Sequence, residues 1–163
     1  MAGYHLRLAV ASDTGGLVRL LHRSWETAWA PFVPAHVSER YYSHRVAEWF
    51  VETRRREIVV VEQSGRLVGL VHSEADFVSA LHVDPDWKRR GIGSCLMDRA
   101  ETDVARRGHA TVRLNTDDFN EPAQRFYRHR GFSEARRFPD LAYEGEVMTV
   151  EMHKALVDAR QEA

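Results

Sequence analysis

The spacing of apolar and polar positions changes period several times along the chain, and each change marks an element. Leu6 to Val10 reads as a short strand. Asp13 or Thr14 can cap a helix on which Leu17, Leu20, Leu21, Trp25 and Ala28 recur at helical spacing, and Pro31 closes it. Ser38 can cap a second helix with Tyr42, Val46, Trp49 and Phe50 on its inner face. Ile58 to Val61 is a continuous β-branched run, Gln63-Ser-Gly65 turns the chain, and Leu67 to Val71 returns it as a hairpin. A further strand runs from Phe77 to Val83 and ends at Pro85. From Gly93 a helix carries Leu96, Met97, Ala100 and Val104 inward and closes at Gly108, and Ala110, Val112 and Leu114 then alternate as a strand, which completes a βαβ unit. Pro122 suits the first turn of another helix, which Gly131 stops, and strands are expected around Phe132 to Phe138 and Val147 to His153. The expected architecture is α/β, with helices flanking a sheet that contains this βαβ unit.

Composition narrows the class. With 163 residues, 44% of them hydrophobic, residues 1–163 read as a single domain. The formal net charge of −1 lacks the basic excess of a nucleic-acid or anionic-membrane surface, so neither partner is expected. No run approaches the roughly 18 apolar residues of a membrane span, and the first residues lack a signal peptide's apolar core. The single cysteine, Cys95, cannot form a disulfide within the chain, which fits a reducing cytoplasm. The nine histidines show no ligand spacing for zinc, so no metal is expected.

The chemistry concentrates in Leu81-His-Val-Asp-Pro-Asp-Trp-Lys-Arg-Arg-Gly-Ile-Gly-Ser94, which ends a strand, turns through glycines and enters a helix. Glycines let backbone approach a ligand, successive amides can form a cradle, and the helix N-terminus favours an anion. The stretch has neither the Walker A spacing nor the three-glycine dinucleotide fingerprint. On the loop alone, a phosphate cradle and a tight turn with a solvated basic face are equally good readings.

The rest of the chain decides between them. The run Val83-Asp-Pro85 followed by Lys88-Arg-Arg-Gly91-Ile-Gly93, together with Asn120-Glu-Pro-Ala123, Phe126-Tyr127 and Gly131-Phe132, resembles the two signatures of the GNAT superfamily of N-acetyltransferases. The element order matches as well, so the resemblance covers nearly the whole chain. It implies a mixed, mostly antiparallel central sheet flanked by helices, with acetyl-CoA in the opening between two parallel strands, here those ending at Val83 and Asn115. The amides of Arg89, Arg90, Gly91, Ile92, Gly93 and Ser94 would then cradle the pyrophosphate, with Lys88 also in the cofactor-binding set, and the backbone of Leu81, His82 and Val83 would pair with the pantetheine arm. Asn120, Ala123 and Phe126 would complete the cofactor-binding set, with Asn120 also able to cap the following helix.

Tyr127 matches the family tyrosine that protonates the departing thiolate, a role suited to a phenol, while a core aromatic packed on Phe126 is the plainer alternative. Direct transfer needs no nucleophile, which leaves Cys95 a packing residue. Family members often carry a base on the strand before Val83, but the aligned positions are Phe77 and Ser79, so His72, Glu74, Asp76 and His82 are the remaining candidates for a water relay. Trp29, Phe32 and Tyr143 are candidate acceptor contacts. The implied activity is acetyl transfer to a primary amine of a small molecule or peptide through a ternary complex, by a monomer or homodimer. A non-catalytic acyl-CoA sensor of the same fold is the alternative.

Overall fold

A computed structural model describes residues 4–157. The strands are β1 (Leu6–Leu8), β2 (Val59–Gln63), β3 (Arg66–Glu74), β4 (Phe77–Val83), β5 (Thr111–Asp117), β6 (Ser133–Pro139) and β7 (Met148–Ala155). The helices are α1 (Thr14–Ala28), α2 (Ala35–Ser43), α3 (Val46–Arg54), α4 (Ile92–Arg106) and α5 (Glu121–His129). The strands form a sheet in the order β1-β2-β3-β4-β5-β7-β6. The β1–β2, β2–β3, β5–β7 and β6–β7 pairs are antiparallel, and β4–β5 is parallel. That is the mixed, mostly antiparallel α/β architecture expected. No helix among the described residues is long and apolar enough to cross a membrane.

The chain divides into two compact units, one running to His72 and including Ala80–Ala100, the other made of Ser73–Ser79 and the residues from Glu101 onward. In the first unit, Leu17, Leu20 and Leu21 of α1 and Ala47 and Val51 of α3 form a core with Ile58, Val60, Leu67, Leu70 and Ala80. Strand β3 is buried over seven consecutive residues, as a strand covered on both faces must be. Its other covering is α4. A Cβ on Gly69 would lie 2.8 Å from Ile92 Cγ2 and 2.9 Å from Leu96 Cδ1, so the missing side chain is what lets α4 seat on β3. In the second unit, β4 pairs with β5 at Phe77↔Arg113 and Val78↔Leu114, and Val112, Leu114, Val150 and Met152 are buried together with Tyr127 and Phe132.

Two local expectations are corrected. The expected helix from Ser38 is two helices, because Arg45 takes a left-handed backbone (φ 50°) that rotates everything after it. Val37, Ala47 and Val51 therefore point inward, while Tyr42, Val46 and Trp49 are 42%, 44% and 59% exposed. Asp13, expected as a cap of α1, instead accepts from Arg7 at 2.6 and 3.1 Å and from the Val10 amide at 2.8 Å. An arginine across β1 outcompeted the helix amides for the same carboxylate.

Candidate functional site

In the first unit, β4 carries the chain into the glycine loop and α4. Beyond Val83, the Asp84 amide donates to the Val68 carbonyl at 2.9 Å, and the Asp84 carboxylate, with no exposed surface, caps the following 3-10 turn by accepting from the Asp86 amide at 3.0 Å. It also accepts from Arg66 at 3.0 Å, Arg23 at 3.2 Å and Arg19 at 3.5 Å. Burial alone would raise this carboxyl, but the Asp86 amide and the Arg23 and Arg66 guanidiniums hold it below its ordinary value. A dehydrated charge with four donors around it anchors the start of the loop.

The loop has left-handed residues at Arg89 (φ 61°) and Gly91 (φ 81°), three positions and one position before the first residue of α4. Left-handed residues of this kind can turn successive amides toward one side, and the first amides of α4 have no intrahelical partner by construction. No atom beyond its chain neighbours lies within 4 Å of where a Cβ on Gly91 would stand. Gly91 is therefore required by its backbone angle and not by crowding at its α-carbon. The Tyr4 hydroxyl donates to the Arg90 carbonyl at 2.7 Å, and the Arg90 guanidinium lies 4.7 Å from the centre of the Trp87 ring. Lys88, Arg89 and Arg90 are exposed, whereas Ile92 is buried and can offer a ligand only its backbone. Gly93 and Ser94 are half-buried at the head of α4, as are Leu81, His82 and Val83 on β4.

His82 is held by groups that the sequence did not announce. Its Nδ1 lies 2.8 Å from the Oγ of Ser24, a buried residue inside α1, and its ring is 5.6 Å from that of Trp29. Trp29 lies parallel to Trp25 at 6.2 Å, and Trp25 stacks on Tyr41 at 4.2 Å. Burial and, after it, the charge of Lys88 push the His82 imidazole down to about 4, so the ring is neutral at physiological pH. Phe32, on the turn after α1, is 58% exposed.

In the second unit, the Asn120 side chain caps α5 by accepting from the Ala123 amide at 3.3 Å, and Gln124, fully buried, donates to the carbonyls of Asp117 and Asp118 at 3.1 Å each. These bonds lock the start of α5 to the end of β5. Tyr127 follows on that helix, packed against Phe126 at 5.3 Å and Phe132 at 5.7 Å. Burial pushes its hydroxyl up to about 12, so the phenol stays protonated. Tyr143 is half-buried on a 3-10 turn that Asp140 caps through the Ala142 amide.

Of the other titratable candidates, Asp76 is committed to Arg113 through two bonds of 2.8 and 2.9 Å, which hold it below its ordinary value. His72 is buried, with its Nε2 3.4 Å from Glu57 and its ring on the edge of Phe50. Ser24 gave no sequence signal, because a serine inside an amphipathic helix looks like any polar spacer. Asp84 did give one, since an aspartate before a proline favours a side-chain-capped turn.

The sequence profile of the acetyltransferase (GNAT) family matches residues 20–132. An uncharacterized N-acetyltransferase of Methanocaldococcus jannaschii is 25% identical over 142 residues, which are 80% of this chain and 61% of that protein, so the chain spans under two thirds of this relative's length. Among solved structures, a GCN5-related N-acetyltransferase from Rhodopseudomonas palustris superimposes with a TM-score of 0.81 at 24% identity, covering 96% of this chain and 98% of that one. A PaiA N-acetyltransferase from Thermoplasma acidophilum, solved in complex with coenzyme A, gives 0.70 at 17% identity, covering 94% and 99%.

Proposed function

Since the chain belongs to the acetyltransferase (GNAT) family, we propose that it transfers the acetyl group of acetyl-CoA to a primary amine of a small molecule or peptide, by direct attack in a ternary complex. The observation that carries this reading is the strand-to-helix loop, with left-handed Arg89 and Gly91 immediately ahead of the α4 amides. Backbone amides and a helix N-terminus suit a pyrophosphate, and the coenzyme A bound to the Thermoplasma acidophilum protein of the same fold supports that ligand chemistry. Lys88, Arg89 and Arg90 add positive charge at the rim. Leu81, His82 and Val83 offer backbone to the pantetheine arm, and a backbone amide near Val83 polarises the thioester carbonyl.

The acceptor arrives as a neutral amine, its nitrogen attacks the carbonyl carbon, and the C–S bond breaks. Tyr127, protonated at neutral pH, gives its proton to the departing thiolate. Asn120, Ala123 and Phe126 complete the cofactor-binding set, and Trp29, Phe32 and Tyr143 contact the acceptor. The site of action is the cytoplasm.

Calorimetry with coenzyme A on wild type and on Gly91→Asp tests the cradle. Loss of measurable binding by the folded variant is expected, because a carboxylate there strains the backbone and repels phosphate. Equal affinity would place the cofactor elsewhere. Amine-dependent release of free thiol from acetyl-CoA tests turnover and separates an enzyme from an acyl-CoA sensor.

A further inference from the structure

The sequence offers no base at Phe77 or Ser79, yet β4 does carry an imidazole that the fold orients. His82 is the middle one of the three residues whose backbone is expected to pair with the pantetheine arm, and three features of its side chain single it out. Ser24 Oγ fixes its Nδ1 at 2.8 Å, and among the described residues this is the imidazole's sole hydrogen-bond partner. Trp29 walls one side of the ring. His82 is half-buried rather than sealed, and Nε2 is not among the buried polar atoms without a partner, so that nitrogen retains accessible surface.

We propose that His82 Nε2 takes the proton that the acceptor nitrogen sheds as it bonds to the acetyl carbon, with Ser24 as the residue that positions the ring. This rests on the acetyl-transfer reading above. Ser24 Oγ has no other hydrogen-bond partner among the described residues, so its lone pairs are open to an Nδ1–H donor. A proton on Nδ1 leaves the Nε2 lone pair outward.

The balance of the step follows. The neutral amine uses its lone pair to form the C–N bond, its nitrogen becomes a cation, and the N–H acidity rises steeply. One proton passes from that nitrogen to Nε2 while the C–S bond breaks and Tyr127 protonates sulfur. The proton on the imidazolium then returns to solvent, and Tyr127 is reprotonated, so amine and thioester become amide and thiol with no proton left over. A weakly basic imidazole is adequate for this proton, although it could not strip an ordinary ammonium. Burial and the charge of Lys88 keep the ring unprotonated before the step, so Nε2 is available as an acceptor, and they hasten the return of the proton to solvent.

The first test needs no acceptor. Long-range nitrogen–proton correlation spectra of the wild-type protein, alone and with coenzyme A, report the imidazole tautomer. A neutral ring protonated on Nδ1 is expected, and a proton residing on Nε2 at neutral pH would overturn the proposal. The second uses His82→Asn, which keeps a polar atom where Ser24 needs one but has nothing at Nε2. A panel of alkylamines and a lysyl peptide is screened with acetyl-CoA by thiol release, and the amine that turns over is used at a pH where it is neutral.

Turnover of His82→Asn should fall on the order of 10²-fold, with coenzyme A affinity and Tm unchanged. Added imidazole should restore turnover of His82→Ala in proportion to its concentration. Undiminished turnover, or a loss that imidazole does not relieve, would reduce His82 to a packing residue. A wild type that releases no thiol with any amine while binding coenzyme A would overturn the transfer reading, and this inference with it. Ser24→Ala should lower turnover less than His82→Asn and shift the tautomer balance toward Nε2.

Discussion

The carboxylate of Asp84, closed off from solvent at the end of β4, accepts from Arg66 Nη2 at 3.0 Å, so the first residue of β3 and the first residue of the glycine loop are tied together. Arg23 on α1 holds the other carboxylate oxygen at 3.2 Å. The loop is thus hung from two elements of the first unit's core.

Asp84→Asn should leave these guanidiniums facing an uncharged group and cost about 3 kcal/mol. The lowered carboxyl fixes the sign of the pH dependence. A group whose folded value lies below its unfolded one stabilises the protein above the ordinary carboxyl range, and that contribution disappears as pH falls through the folded value. The Tm gap between wild type and variant should therefore be widest near neutrality and close in acid. A gap that does not change with pH would assign the loss to shape rather than charge.

Tyr127→Phe removes a hydroxyl that has no hydrogen bond to another described residue. Stability should change little, while turnover falls on the order of 10²-fold and coenzyme A affinity holds. Because the phenol is pushed up to about 12, wild type should show no alkaline limb near 10 attributable to this tyrosine. Unchanged turnover, with chemistry established as the slow step, would exclude it as the acid.

Gly69→Ala should press α4 away from β3, since the new methyl would meet Ile92 and Leu96 inside 3 Å. Overpacking of this kind costs about 1–3 kcal/mol. The amides proposed to hold the cofactor head that same helix, so weaker coenzyme A binding should accompany the lower Tm. Retained affinity at reduced Tm would show that the cradle tolerates the shift.

Asp76→Asn breaks a pair that is partly exposed on both sides, so the stability loss should be about 0.2–1 kcal/mol and should vanish in acid, as for any carboxyl held low by a cation. The rising limb of turnover efficiency should stay where the acceptor's own basicity puts it, and should move when a less basic amine is supplied. A limb lost with Asp76 would make that carboxylate the base.

Much of this protein is legible in one dimension. The boundaries of β4, the proline-bearing start of α5 and the loop before α4 follow from period, proline and glycine, because backbone sterics are local and act within a few residues. The proposed cradle belongs to the same class, since the groups assigned to the ligand are amides of consecutive residues. The break at Arg45 was not legible, because an arginine in the left-handed region is chosen by what the flanking helices bury, and no local signal marks it. Nor was the partner of Asp13, which Arg7 reached from β1.

What only the tertiary structure decided is which distant side chains share a proton or a charge. Ser24 and His82 are 58 residues apart, and Arg23 and Asp84 are 61. Their meeting depends on α1 packing over the first unit's strands, a consequence of summed burial of Leu17, Leu20 and Leu21 rather than of any residue near the contact. Hydrophobic pattern is additive and survives in the sequence as period. A hydrogen bond between two polar groups is specific to their final positions, and those positions exist only after the core has formed.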